Sequence, residues 1–238
     1  MVKGKRIVAV VDSRLGADQT SMRRANWLAQ QQQAGIELLL CLGDEHLSGE
    51  VYEDTTTLEK ARERTTAHHQ HQLKQLALDF GNQDIDVMTT VVWDTPLDDA
   101  ITRHVLNSEP SLVIKETQHP SRVSQAFLSD TDWGLIGKCP APLLLAKSNG
   151  WTMGAPVMAA IDPMFASHRT AMMDTEILCT AKKYAHISGS DMFAMHCFSP
   201  SYHGLAMPSY AYDGYQQRRR SLEAVHRESV VSFMSTHG

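Results

Sequence analysis

Short apolar runs alternate along this chain with longer stretches in which apolar residues recur every three or four positions, the pattern of buried strands separated by amphipathic helices. Residues 7–11 are wholly apolar and too short for a helix, so they predict a strand covered on both faces and ended by Asp12 and Ser13. Met22, Ala25, Leu28 and Ala29 give 20–33 a helical stripe, with Gly35 expected as its C-terminal cap. A second strand follows at 36–42. Residues 56–80, rich in Leu, Ala, Glu, Lys, Arg and Gln, predict a long helix ending at Gly81. Ile85, Val87, Thr89 and Val91 alternate as a third strand. Thr95 is then expected as a helix cap with Pro96 in the first turn, Asp98 and Asp99 facing the positive helix end, and Leu97, Ile101 and Val105 buried. Residues 112–114 predict a fourth strand, 131–138 a helix, and 143–145 a fifth strand after Pro140 and Pro142. Regular alternation of this kind implies an α/β fold with an open, mostly parallel five-stranded sheet flanked by helices.

The pattern then restarts. Residues 156–162 repeat the first strand with its terminal acid, Asp162, after a linker at 148–155 that contains Gly150 and Gly154. Residues 170–185 match the first helix, 192–198 the second strand and 215–237 the long helix. Two domains are expected, 1–148 and 155–238, the second incomplete because it lacks counterparts of the last three strands.

Composition narrows the classes of function. At 42% hydrophobic and 21% charged residues the chain reads as ordinary globular protein. A net charge of -5 supplies no general attraction to nucleic acid or to an anionic membrane, and Arg218, Arg219 and Arg220 read as a solvated helix face. Cys41, Cys139, Cys179 and Cys197 are widely spaced and form no C-x-x-C pair, as expected of reduced thiols and not of a zinc or redox site. No apolar run reaches the roughly 18 residues of a membrane helix, and the first apolar run is too short for a signal-peptide core, so the expected compartment is the cytoplasm.

A strand ending Val10-Val11-Asp12, the order of elements after it, Val91-Val92-Trp93 ahead of the third helix, Thr131-Asp132-Trp133, and Lys138-Cys139-Pro140-Ala141-Pro142 before a Leu-rich strand together resemble the universal stress protein family, in its tandem E type. The resemblance covers residues 1–147 fully and 155–238 in part. It implies a duplicated Rossmann-like fold and a stress-response regulatory binding protein, not a conventional enzyme. Members that hold ATP do so with a loop of form G-x2-G-x9-G-[ST] after the fourth strand, where glycines let backbone N–H groups approach phosphates. The matching positions here are Glu116, His119, Ser129 and Asp130, none of them glycine. A carboxylate close to a phosphate costs about 1–4 kcal/mol per pair, so the first domain's phosphate loop is expected to be degenerate. The resemblance also implies an adenine-end pocket at the carboxyl edge of the sheet, lined by Asp12 and Leu42, with Asp162 repeating Asp12 in the second domain. Against this, an Asp after a buried strand commonly caps the next turn, and Leu42 suits a core position. No cofactor is required. ATP belongs more naturally to a complete second domain than to the first, and the alternative function is ATP binding or slow nucleotide hydrolysis at that edge. The expected partners are a protein or a second copy of the chain, meeting at the edge strand 143–146, with a small molecule as a further ligand; nucleic acid and membrane are not expected.

Other constellations have simpler readings. His68 and His71, one helical turn apart beside His69, have no third metal ligand in sight and read as a polar face. Asp132 with Lys138, and Asp98 with Asp99, match helix starts better than an acid–base pair. His196 and Cys197 end a strand, where a neutral histidine facing the other domain is the simple reading. G-x-S-x-G, G-x-x-x-x-G-K-[ST] and G-x-G-x-x-G are absent, which leaves hydrolase, P-loop and dinucleotide readings without local support.

Overall fold

The computed structural model of the chain describes residues 5–14, 19–43, 47, 55–80, 85–117, 128–147, 154–164, 168–199 and 212–237. The chain divides into two compact units, Met1–Gly150 and Trp151–Gly238.

In the first unit β1 (Arg6–Val11), β2 (Gly35–Leu42), β3 (Val87–Trp93), β4 (Leu112–Glu116) and β5 (Leu143–Ala146) form one sheet in the order β3-β2-β1-β4-β5, every neighbouring pair parallel. Helices α1 (Thr20–Gln32), α2 (Thr55–Phe80), α3 (Leu97–Ser108) and α4 (Asp130–Lys138) supply the crossovers. Side chains alternate across a strand, so the continuous apolar runs of β1 and β2 feed two cores. Val8, Val10, Leu39 and Cys41 pack with Ala100, Ile101 and Val105 of α3 and Leu135 of α4. Ile7, Ala9, Ile36, Leu38 and Leu40 lie on the opposite face, and all are fully buried.

In the first unit the structure departs from the sequence reading at the end of α1, the start of α3 and the start of β3. Helix α1 closes on Gln33, which takes the left-handed conformation at φ 51° and donates its N–H to the Ala29 carbonyl, while Gly35 already belongs to β2. Thr95 does not cap α3; Pro96 holds that place in extended conformation with no side-chain cap, and the Thr95–Pro96 bond is cis. Strand β3 starts at Val87, not Ile85, because its ladder begins where Val87 meets Ile36.

The second unit pairs β6 (Val157–Ala160) with β7 (Met192–Met195) in parallel, and adds α5 (His168–Ser188) and α6 (Tyr212–His237). Its core joins Ala159, Ile161, Leu178 and Ala181, with Val230, Phe233 and Met234 of α6 packed against them. Strand β7 stops at Met195, three residues short of the expected end. The other face of this sheet exposes Met158, Phe193 and Met195.

Candidate functional site

The carboxyl ends of β1, β2 and β4 gather Asp12, Leu42 and Glu116 at one edge of the first sheet, with the start of α1 beside them. In open parallel sheets this is the edge at which ligands bind. Each of these residues nevertheless has a local task. The Asp12 carboxylate accepts the Arg14 backbone N–H at 2.9 Å and the Arg14 guanidinium at 3.0 and 3.1 Å. Its backbone N–H donates to Gln19 Oε1 at 2.8 Å, which ties the strand end to the residue preceding α1. The carboxylate in turn holds the exposed Arg14 guanidinium above its ordinary range, first through the hydrogen bond and then through charge. Leu42 is fully buried, pairs in register with Trp93, and its carbonyl accepts the Asp94 N–H at 2.9 Å.

Glu116 has the most informative contact. Helix α1 lacks a side-chain cap from its own N-cap residue, Gln19, and Glu116 Oε2 accepts the Thr20 N–H at 2.8 Å from the end of β4. An anion at a helix N-terminus is favourable, and here the protein provides it from its own chain.

Ser129 and Asp130 open α4. Ser129 is its N-cap and forms a capping box with Asp132, each side chain serving the other residue's backbone N–H, at 3.2 and 3.1 Å. Asp130 is exposed in the first turn, and His119 lies outside the described residues. Asp132 also receives Lys115 Nζ at 2.7 Å, with the carboxylate fully buried and the lysine side chain 10% exposed. Burial pushes the Asp132 carboxyl up, but Lys115 and the Ser129 groups more than reverse this, so it sits below the ordinary carboxylate range. Asp132 thus serves as part of a helix cap, as expected, while Lys138 joins Asp98 and Asp99 at 2.8 Å each. A Cβ at Gly134 would collide with the Asp98 carboxylate, so this glycine permits the close approach of α4 to α3.

Further in, Glu37 of β2 is buried and accepts Thr90 Oγ1 at 2.6 Å, with His104 Nε2 at 2.9 Å. Burial raises its carboxyl, but the hydrogen bonds from His104 and then Thr90 outweigh this and leave it below the usual value. Cys41 is buried, and desolvation pushes its thiol up to about 12, which makes it unreactive.

The second unit places Asp162 after β6 with a side chain 45% exposed, against 21% for Asp12. The Asp162 N–H donates to the Asp174 carboxylate at 3.2 Å. His196 Nδ1 lies 3.6 Å from Asp162 Oδ1, and its Nε2 lies 2.8 Å from His226 Nδ1 on α6. Phe198 stacks on His226 with ring centres 4.4 Å apart. His196 is therefore held against its own unit's helix.

The sequence reading missed Lys115, Glu37, Asp174 and His226. A charge inside an apolar strand is a signal that a partner must exist, and it was available for Lys115 and Glu37. His226 sits in a polar helix and gave none. Arg218, Arg219 and Arg220 are exposed as expected, as are His68 and His71. Among the described residues no group of three or more His, Cys, Asp or Glu could hold a metal ion, and no helix is long and apolar enough to cross a membrane.

The pattern of the Universal stress protein family matches residues 4–147. A "Universal stress protein E homolog" of Haemophilus influenzae is 21% identical over 240 residues, 96% of this chain and 76% of that protein. A "Universal stress protein E" of Photorhabdus laumondii is 29% identical over 61% of this chain, and the match spans 46% of that protein, under half its length. The crystal structure of a functionally unknown protein, PA1789 of Pseudomonas aeruginosa, shares the fold with a TM-score of 0.67 at 20% identity, covering 99% of this chain and 70% of that one.

Proposed function

The chain belongs to the universal stress protein family, and from that premise we propose that it is a cytoplasmic regulatory binding protein whose first unit has given up the family's ATP phosphate site. The observation that carries this reading is Glu116, whose carboxylate already occupies the N-terminus of α1 at 2.8 Å from the Thr20 N–H. A phosphate brought to this edge meets a fixed negative charge, with the exposed Asp130 as a second on α4. Asp12 is engaged by Arg14 and Leu42 is core, so the adenine end is also closed by ordinary structural contacts. The expected partner is a protein or a second copy of the chain. Strand β5 is an edge of the sheet, and Leu143, Leu144 and Leu145 on it are half-buried, a row open to strand addition.

The test is calorimetric titration of the purified chain with ATP and Mg²⁺. Absence of binding is expected, and stoichiometric binding lost in Asp12→Ala would overturn the reading.

A second reading, nucleotide binding or slow hydrolysis in the second unit, is favoured by the greater exposure of Asp162, whose carboxylate lies 3.6 Å from His196. It requires nucleotide binding or turnover that disappears in Asp162→Ala and persists in Asp12→Ala.

A further inference from the structure

Strand register equates the two sheets position by position. Val8 pairs with Glu37 as Met158 pairs with Phe193, and Val10 with Leu39 as Ala160 with Met195. Val11, the partner of Leu40, thus corresponds to Ile161, and the place of Leu40 falls to His196. Leu40 is fully buried in the first unit, and the His196 side chain is 6% exposed in the second. An imidazole has replaced a core leucine.

Both ring nitrogens of His196 are committed. Nδ1 lies 3.1 Å from the Ile161 carbonyl, which can only accept, so Nδ1 carries a proton and donates. Nε2 lies 2.8 Å from His226 Nδ1. With His196 neutral, its Nε2 accepts from His226 Nδ1–H. With His196 charged, its Nε2–H donates to the lone pair of His226 Nδ1. One added proton therefore fits on either ring: His226 can take it at Nε2 and keep donating from Nδ1, its charge lying against the face of Phe198. A second added proton does not fit, because both nitrogens would then present N–H to each other, and two cations would share one contact.

The consequence falls on α6. Val230, Phe233 and Met234 follow His226 by four, seven and eight residues, the same helical stripe, and they pack on the core formed by Ala159, Ile161, Leu178 and Ala181. Among the described residues, charged groups near the pair include Asp162, 3.6 Å from His196 Nδ1, and Asp174 of α5, turned to the Asp162 N–H; next to His226 along α6, Glu223 and Arg227 bond each other at 3.3 Å. None of these groups relieves the N–H to N–H conflict that a second proton creates.

We propose that the second unit is an acid-sensing latch: the His196–His226 pair holds α6 on the β6–β7 sheet and releases it when both rings are protonated. This function is separate from the binding role above and does not rest on it.

Hydrogen exchange of the whole chain at about pH 7.5 and about pH 5, corrected for intrinsic rates, brackets the ordinary titration range of histidine and tests the latch. Protection of α6 is expected to fall about tenfold per pH unit on the acid side, the linkage of one excess proton, while β1 and β2 stay protected. His226→Gln can meet His196 Nε2 with either amide atom and cannot titrate, so its α6 protection is expected to be the same at both pH values. Undiminished protection of α6 in the native chain at the lower pH, or a native-like acid loss in H226Q, overturns the proposal. Should H226Q leave α6 unprotected throughout, His196→Leu, which restores the first unit's residue, decides: an acid loss that survives in it also overturns the latch.

Discussion

Lys115 and Asp132 meet at 2.7 Å with the carboxylate wholly buried, so removing either partner strands a charge away from water. Asp132→Asn is expected to lower stability by about 3 kcal/mol, whereas replacing both residues with apolar ones of similar size costs much less. Denaturant midpoints of the single and double variants check this, and equal losses would mean that the pair contributes a net attraction of its own. Glu37 supplies a pH-dependent counterpart. Its carboxyl lies below the ordinary value of 4.5 in the folded chain, so the unfolded chain binds its proton first as pH falls. Its stabilisation is complete above that value and is lost as pH drops through the folded value. Glu37→Gln is therefore expected to lose about 1–3 kcal/mol at neutral pH and to show a shallower acid decline of the urea midpoint. A variant with the native slope would exclude Glu37 as a source of acid lability.

Helix ends show how elements borrow from one another. Helix α1 has no cap from its own N-cap side chain and takes one from Glu116, 96 positions along the chain. At its other end Gln33 sits at φ 51° and ψ 48°, where a side chain costs about 1 kcal/mol relative to glycine. Gln33→Gly is accordingly expected to leave the fold intact and raise the thermal midpoint slightly, and a lowered midpoint would show that the glutamine side chain makes a compensating contact. Helix α4 is placed differently, by a local capping box and by the absence of a Cβ at Gly134. Gly134→Ala pushes a methyl group into Asp98, the residue that, with Asp99, raises the Lys138 ammonium to about 12. A loss of about 1–3 kcal/mol is expected from this overpacking, and Asp98→Ala in the same chain should recover part of it.

At the scale of the molecule the two units differ in what their sheets bury. Among the described residues the first has five strands with helices on both faces, the second two strands with Met158, Phe193 and Met195 exposed. A two-stranded sheet is marginal without further packing. Residues 1–150 alone are therefore expected to unfold in one cooperative thermal transition, and residues 151–238 alone to melt broadly; a sharp transition for the second piece would show that α5 and α6 suffice to hold it.

Hydrophobic period alone specified the order of strands and helices, the parallel five-stranded class and the repeat of Asp12 by Asp162, because burial on two faces writes continuous apolar runs and burial on one helical face writes a stripe of period 3.6. It could not specify that Glu116 would reach Thr20, that Lys115 would meet Asp132 rather than leave it to Lys138, or that His196 would find His226 on the last helix. Those pairings depend on which strand ends become neighbours when β4 inserts beside β1, and on how α6 lies across β7. Sequence distance carries no trace of them, since a polar side chain records only that it needs a partner, and the fold chooses which one it gets.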